Sequence, residues 1–325
     1  MGVMEQLLRL LGENCGGCVS GGALAKELAV SRNAVWKAVE SLRANGYDIS
    51  AVRSKGYRLE TSGDLLSAGG INDNIRNSGA FHVEVRKSLT STNTVLREAA
   101  AKGAPEGYVI AAEEQTAGKG RQGRAFHSPA GHGAYFSLLL RPGYTASDAA
   151  LLTSAAAVAA ARAIEEVFGV SVGIKWVNDL FVDGKKVCGI LTEASFDMES
   201  GLIESAVLGI GINVTMPEDG FPEELRNVAA SLTERRTGKD SERCRLIAAT
   251  LDDFWEYYEN LSARAFLDEY RSRSIVLGHD IYVLTGGAQR QARALAIDDG
   301  CGLVVRYEGG ETATVNSGEV RVVRR

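Results

Sequence analysis

The chain has no apolar run approaching the ~20 residues that a membrane-spanning helix needs. Its start, MGVMEQLLRLLGENCGG, carries Glu5 and lacks a basic flank ahead of a continuous apolar core, so no secretory leader is expected. Met1-Gly2 is not followed by Ser or Thr at the position that myristoylation requires. Cysteine is scarce: five residues in 325, odd in number and scattered, which suits a reducing cytoplasm rather than a disulfide framework. Cys15 and Cys18 form one CxxC, but no second pair or nearby histidine completes a zinc site, so the stretch reads as a Gly-rich turn between helices. There is no internal repeat, and the one biased tract, Ala149 to Ala163, reads as a packed helix ending at Gly169. A Walker A loop is excluded as well. Gly-Lys occurs at 118, 184 and 238 and is followed by Gly, Lys and Asp, never by Ser or Thr.

What is present suits a soluble globular protein of two or three domains, 45% hydrophobic and 24% charged. The net charge of -5 conceals an asymmetry. Residues 31–58 hold six basic residues against two acidic ones, a local +4, which leaves -9 on the rest. One small basic segment on an acidic protein is a local footprint for a polyanion.

That segment has a shape. Leu24 and Leu28 are four apart, Ser31 is a good N-cap, and Ala34, Val35, Ala38, Val39 and Leu42 recur at helical spacing up to a stop at Asn45-Gly46. Two helices joined by a short turn make a helix-turn-helix. Ser31, Arg32, Asn33, Trp36, Lys37 and Arg43 lie off the apolar stripe and include the types that read bases and grip phosphates. YDISAVRSKGYRL then reads as two strands round a turn, a wing carrying Arg53 and Lys55. Residues 1–62 are therefore expected to be a winged helix-turn-helix that binds DNA. The same fold also serves as a protein-interaction module. Residues 63–80 read as a linker with a short helix, and a new domain starts near Phe81.

The loop AGKGRQGR, 117–124, matches the G-x-G-x-x-G of dinucleotide sites at Gly118, Gly120 and Gly123. The context disagrees. A strand precedes it, but Arg-Ala-Phe-His-Ser-Pro follows, which is no helix start, and no acidic residue stands about 20 positions on. Lys119, Arg121 and Arg124 instead suggest a flexible loop that closes over a small anion. Three further segments carry polar chemistry. Ser91, Thr92 and Asn93 open a helix whose amides can take a ligand's polar groups. VGIKWVNDLFVDGKKVCGILTEASF reads as strand, Asp183-Gly184 turn, strand, and bears Lys175, Asn178, Asp179 and Lys186. ESAVLGIGINVTM is a buried strand ending in Asn213.

Together EEQTAGKGRQGRAFHSP, KWVNDL, GKKVCGILTE and GIGINV resemble the motifs of biotin protein ligases. With the helix-turn-helix in front, the chain resembles those that also repress the biotin operon. The likeness runs from about residue 5 to the C-terminus. It departs at Lys119 and Gln122, where the family has Arg, at Phe126, where it has Trp, and at Val177, where it has Pro. The resemblance implies an α+β protein: the winged helix-turn-helix, a central mixed-sheet domain at 81–273 like that of class II aminoacyl-tRNA synthetases, and an SH3-like barrel at 274–325. The last fits a tail from Gly278 that alternates apolar residues between Gly-rich turns, with Asp298-Asp299-Gly300 as one hairpin turn.

The resemblance also implies a reaction. Biotin is activated by ATP with Mg²⁺ to biotinyl-5′-AMP, then passed to a lysine of a biotin carboxyl carrier protein. Ser91, Thr92, Asn93 and Gln115 would hold biotin, and Lys119, Gly120 and Arg121 would close round its carboxylate. Arg124, Phe126, Asn178, Asp179 and Asn213 would serve the adenylate. Lys186, Arg121 and Lys175 are the catalytic candidates. No protein metal site is expected beyond a contact from Asp179 to Mg²⁺. Glu319 and Arg321 are candidates in the barrel. Operator DNA, a carrier protein and a second copy of the chain are the expected partners. Two other readings stay open: a lipoate or octanoate ligase, and a biotin-sensing regulator without catalysis.

Overall fold

The computed structural model describes residues 2–14, 16–44, 47, 49–59, 66–145, 148–197, 199–234, 242–285 and 288–323. Cys15, the expected helix stop at Asn45-Gly46 and the first expected domain boundary near residue 62 lie outside them.

The first three helices are α1 (Val3–Glu13), α2 (Gly21–Glu27) and α3 (Arg32–Ala44). The Ser31 hydroxyl accepts from the Ala34 amide at 3.1 Å, so this serine caps α3 as its position suggests. Val35, Val39 and Leu42 then fall on one face and bury against Leu7, Leu11 and Leu24. Each such side chain contributes roughly 1.5–3 kcal/mol when taken out of water. The wing is β1 (Ile49–Val52) paired antiparallel with β2 (Gly56–Leu59). This unit has a hydrophobic cluster of its own, separate from the larger core.

Residues 66–80 are more than a linker. A short helix, α4 (Ala68–Asn72), is there as expected, but Leu66, Ile71 and Ile75 are buried in the central core. These apolar residues are spaced four to five apart inside a Gly- and Asn-rich stretch, whose composition masks them.

The centre is a seven-stranded mixed sheet in the order β3-β4-β5-β9-β8-β7-β6. The strands are β3 (His82–Leu89), β4 (Tyr108–Gln115), β5 (Gly133–Leu140), β6 (Gly173–Lys175), β7 (Asp179–Val182), β8 (Lys185–Phe196) and β9 (Ile203–Asn213). Only β3 and β4 pair in parallel, which requires a crossover, and α5 (Thr92–Ala101) supplies it. α5 lies on one face. α6 (Ala149–Phe168) and α7 (Glu242–Tyr258) pack on the other. β5, covered on both sides, is buried along its whole length, hence the apolar run AYFSLLL. Seven of the twelve buried residues of α6 are alanine, which lets its backbone sit close to its neighbours, and Gly169 ends it in the left-handed conformation. The β7–β8 hairpin turns on Asp183 (φ 50°) and Gly184 (φ 75°), both left-handed, as an Asp-Gly turn demands.

After α8 (Leu267–Ser272) come β10 (Asp280–Thr285), β11 (Ala288–Ile297), β12 (Leu303–Tyr307), β13 (Thr312–Val315) and β14 (Glu319–Val322). They form one antiparallel sheet, order β13-β12-β11-β10-β14, whose buried residues are continuous with the central core. The Asp298 carboxylate accepts from the amides of Gly300 and Gly302 at 2.9 and 2.8 Å, which closes the turn between β11 and β12. No helix among the described residues is long and apolar enough to cross a membrane.

Candidate active site

The AGKGRQGR loop is a small hairpin. Lys119 and Ala125 bridge across it, the Phe126 amide donates to Gly118 O at 2.8 Å, and the Gly120 amide to Arg124 O at 2.7 Å. Its tip is one 3₁₀ turn, Arg121–Gly123. β4 leads in and β5 follows, with no α-helix between them. A dinucleotide site is therefore excluded, because no helix N-terminus faces the glycines.

The hairpin forms one wall of a cavity of about 260 Å³. At one end lies the start of α5. Ser91 occupies the N-cap position but makes no capping bond. Gln115, at the end of β4, does that work: its carbonyl accepts from the Thr92 amide at 2.9 Å and from the Thr92 hydroxyl at 3.2 Å. Its amide donates to Ser128 Oγ at 2.9 Å, which fixes its orientation.

At the other end the cations gather. Lys186 Nζ lies 2.6 Å from Asp179 Oδ1. The Lys186 backbone is held from outside the sheet, its amide donating to Val228 O at 2.8 Å and its carbonyl accepting from the Ala230 amide at 2.9 Å. Arg121 donates to Asn178 Oδ1 at 2.9 Å, and Asn178 in turn donates to Ile190 O at 2.9 Å. Arg124 reaches Glu319 of β14 at 2.5 Å. Lys175 stands over the Phe181 ring, 5.7 Å from its centroid. Burial pulls the Lys175 ammonium below the ordinary lysine range, and the Asp179 and Glu319 carboxylates offset part of that. Burial works against the Glu319 carboxylate, but Arg124, Arg321 and Lys175 outweigh it and hold the group below the usual range.

The KWVND turn that carries Lys175, Asn178 and Asp179 breaks what the sequence suggests is one strand into β6 and β7. Trp176 Nε1 donates to Cys301 O and the Tyr270 hydroxyl to Val177 O, each at 2.9 Å. The turn is thus tied to α8 and to the turn between β11 and β12. Between the two ends, the glycines of GIGIN form the floor. A Cβ on Gly211 would come within 2.5 Å of the Phe126 ring, so the aromatic residue lies flat on backbone that only glycine provides.

A family model, Biotin/lipoate A/B protein ligase family, matches residues 85–213, and an HTH domain model matches residues 3–58. The chain is 35% identical to the "Bifunctional ligase/repressor BirA" of Bacillus spizizenii over 310 residues, 94% of each chain. The protein belongs to the biotin protein ligase family. It is 29% identical to the bifunctional ligase/repressor of Escherichia coli, over 90% of this chain and 91% of that one. Among solved structures it is similar to the biotin protein ligase from Aquifex aeolicus in complex with biotin and ATP, with 27% identity and a TM-score of 0.62. That likeness covers 75% of this chain and 99% of the other.

In this ligase the sequence-derived cavity residues share one pocket: Ser91, Thr92, Asn93, Gln115, Lys119, Gly120, Arg121, Arg124, Phe126, Lys175, Asn178, Asp179, Lys186 and Asn213 all line it. So does Glu319, whereas Arg321 does not. The segment 221–229 was missed. Phe221, Leu225, Val228 and Ala229 line the cavity, held by the backbone bonds to Lys186. No periodicity or motif marks them.

The second set of expected residues lies apart from this cavity. Arg32, Asn33, Trp36 and Lys37 are exposed along the first turns of α3, and Arg53 and Lys55 at the wing tip. Arg43 differs. It is half-buried, donating to Ile49 O at 2.8 Å and to Glu40 at 2.7 Å. Those bonds tie α3 to β1, which fits a structural part better than a DNA contact.

Proposed function

We propose that the chain couples biotin to ATP, forming biotinyl-5′-AMP and pyrophosphate, and passes the biotinyl group to a lysine of a carboxyl carrier protein. The observation that carries this reading is the polarity of the cavity. Neutral hydrogen-bonding groups fill one end and five cations, Lys119, Arg121, Arg124, Lys175 and Lys186, surround the other.

The neutral end suits an uncharged ring: Ser91, Thr92 and Gln115 would hold the ureido group, with Asn93 behind them. The biotin carboxylate then points toward Lys119, Gly120, Arg121 and Lys186. Its oxygen attacks the α-phosphorus, and pyrophosphate leaves. Negative charge grows on the phosphoryl oxygens in that step, and pre-placed cations stabilise it. Arg124, Phe126, Asn178, Asp179 and Asn213 serve the nucleotide, with Phe126 beside the adenine. In the second step the carrier amine attacks the acyl carbon and AMP leaves. Lys186 and Arg121 remain the cations nearest the reacting carboxyl. Lys175, whose ammonium is weakened by burial, stands ready near the incoming amine or the phosphates.

No group of three or more His, Cys, Asp or Glu residues suited to a metal exists among the described residues. One carboxylate beside ATP phosphates is nonetheless a normal magnesium environment, and Asp179 would supply it. Mg²⁺ bound there would neutralise the departing pyrophosphate.

The N-terminal unit would bind operator DNA through Ser31, Arg32, Asn33, Trp36, Lys37, Arg53 and Lys55, and so make the ligase a biotin-responsive repressor. A dimer belongs to the same proposal. β8 pairs with β7 only as far as Gly189, so among the described residues no strand covers its outer edge from Leu191 to Phe196. Phe196 and Leu202 are exposed nearby. An uncovered edge of this kind invites a second strand. We take 1–62 as the DNA unit, 81–273 as the ligase unit and 274–325 as its cap, acting in the cytoplasm.

The test is exchange of labelled pyrophosphate into ATP. Exchange that requires biotin, ignores lipoate and disappears in Lys186→Ala supports adenylation. Lipoate-dependent exchange would point to the sister activity. Biotin binding without exchange would leave a sensor only. Sedimentation with and without biotinyl-5′-AMP tests the dimer, and an unchanged mass would remove it.

A further inference from the structure

The polar network behind α5 ends on a residue with no role so far. Asn93 spends both its amide hydrogens inside the protein, donating to Glu193 Oε2 at 2.9 Å and to Leu191 O at 3.2 Å. Its carbonyl accepts from the Ser137 hydroxyl at 2.6 Å. The same hydroxyl also lies 2.7 Å from Thr92 Oγ1, so Ser137 links the first two residues of α5. Turning the amide over would set its oxygen against a carboxylate and a carbonyl, so Glu193 fixes which way Asn93 faces. Gly209 leaves room for it: a Cβ there would fall 1.9 Å from Asn93 Oδ1. The other oxygen of Glu193 accepts from Arg97 at 3.1 Å. Asn93 and Arg97 are one turn apart on α5, so one carboxylate on β8 grips the helix twice.

We infer that Glu193 is a positioning residue of the biotin pocket. Its carboxylate sets the Asn93 amide and, through it, the first turn of α5, which presents Ser91 and Thr92 to the ligand. This rests on the reading of that end of the cavity as the biotin end. Glu193 does not itself line the cavity, and its partners lie away from the cations. Its loss is therefore felt by biotin and not by ATP.

The experiment measures biotin affinity, and KM for biotin and for ATP separately in pyrophosphate exchange, on the full chain. Glu193→Ala is expected to weaken biotin about tenfold, the scale of losing a hydrogen bond to a charged acceptor, with KM for ATP held. Glu193→Gln keeps an acceptor for Asn93 and restores most of the loss. Arg97→Ala, which breaks the exposed half of the grip, stays within about twofold. Ser137→Ala removes the donor on the opposite side of the amide and gives the same split, which keeps the test available should Glu193→Ala not fold. Biotin affinity in Glu193→Ala within about twofold of wild type overturns the inference. So does a parallel rise in both KM values that Gln does not rescue. A wild-type chain that binds no biotin would instead overturn the parent reading.

Discussion

The cations of the cavity and those of the DNA unit are the same residue types in opposite settings. In the cavity Arg121, Arg124 and Lys186 each have a named partner, Asn178, Glu319 and Asp179, two on the KWVND turn and one on β14. On α3, Arg32 and Lys37 are exposed. The first arrangement places charge at a point, as a phosphoryl group in flight requires. The second makes a field that a polyanion can slide along, and counterion release drives that binding. Function follows from how the guanidinium or ammonium is held, not from its presence.

The comparison breaks most sharply at Lys186. Lys186→Ala is expected to lower kcat for adenylation by about 10²–10³-fold, the usual scale for one charge-stabilising donor, and to leave DNA affinity measured without biotin and ATP untouched. A loss of less than tenfold would mean that the charge acts by bulk attraction, as on α3. Second in size are Arg32→Ala and Lys37→Ala. Each is expected to weaken DNA binding several-fold and to flatten the dependence of log K on log salt by about 0.9 for every phosphate no longer neutralised. Biotin-dependent exchange should not change. A titration at three salt concentrations decides it, and an unchanged slope would remove that residue from the interface.

The sequence and the structure agree where the signal is local. Asp183-Gly184 demanded a hairpin and made one. The Ser31 cap and the stripe from Val35 to Leu42 required a helix packed on α1 and α2. The cations of the cavity were legible because GKGRQGR and KWVND each crowd several polar or charged groups into a few residues. What stayed hidden depends on pairings across the fold that a one-dimensional reading cannot make. Glu193 meets Asn93 across 100 positions. The segment carrying Phe221 and Val228 lines the cavity through backbone bonds, which have no side-chain code. Leu66, Ile71 and Ile75 are buried in the central core although their neighbours look like a linker. Trp176 donates to the distant Cys301 carbonyl and the distant Tyr270 hydroxyl donates to Val177 O, so the strand breaks where local propensity alone would continue it.

A third, smaller effect follows from burial. The form of Lys175 that can hold phosphate is the cation. Burial favours the neutral amine, so the proton leaves at lower pH than from a free lysine. Affinity for ATP should therefore decline on the alkaline side earlier than ordinary lysine titration predicts. Lys175→Arg, whose guanidinium stays charged, should move that decline to higher pH. Identical pH profiles of KM for ATP in the two proteins would show that Lys175 does not face the phosphates in its charged form.

The smallest effect sharpens the contrast from inside the DNA unit. Arg43 belongs to the basic segment, yet it is held as the cavity cations are held, by Glu40 and by Ile49 O. If setting decides use, Arg43 serves the fold and not the DNA. Arg43→Ala is expected to cost about 1 kcal/mol of stability in this unit, the scale of one partly buried hydrogen-bonded pair. The salt slope of DNA binding should stay as in the wild type, since the same number of phosphates is neutralised. Urea unfolding followed through Trp36 fluorescence reads the first quantity, and the salt titration reads the second. A flattened slope with unchanged stability would reverse the assignment and show that a cation with internal partners can still be offered to the phosphate backbone.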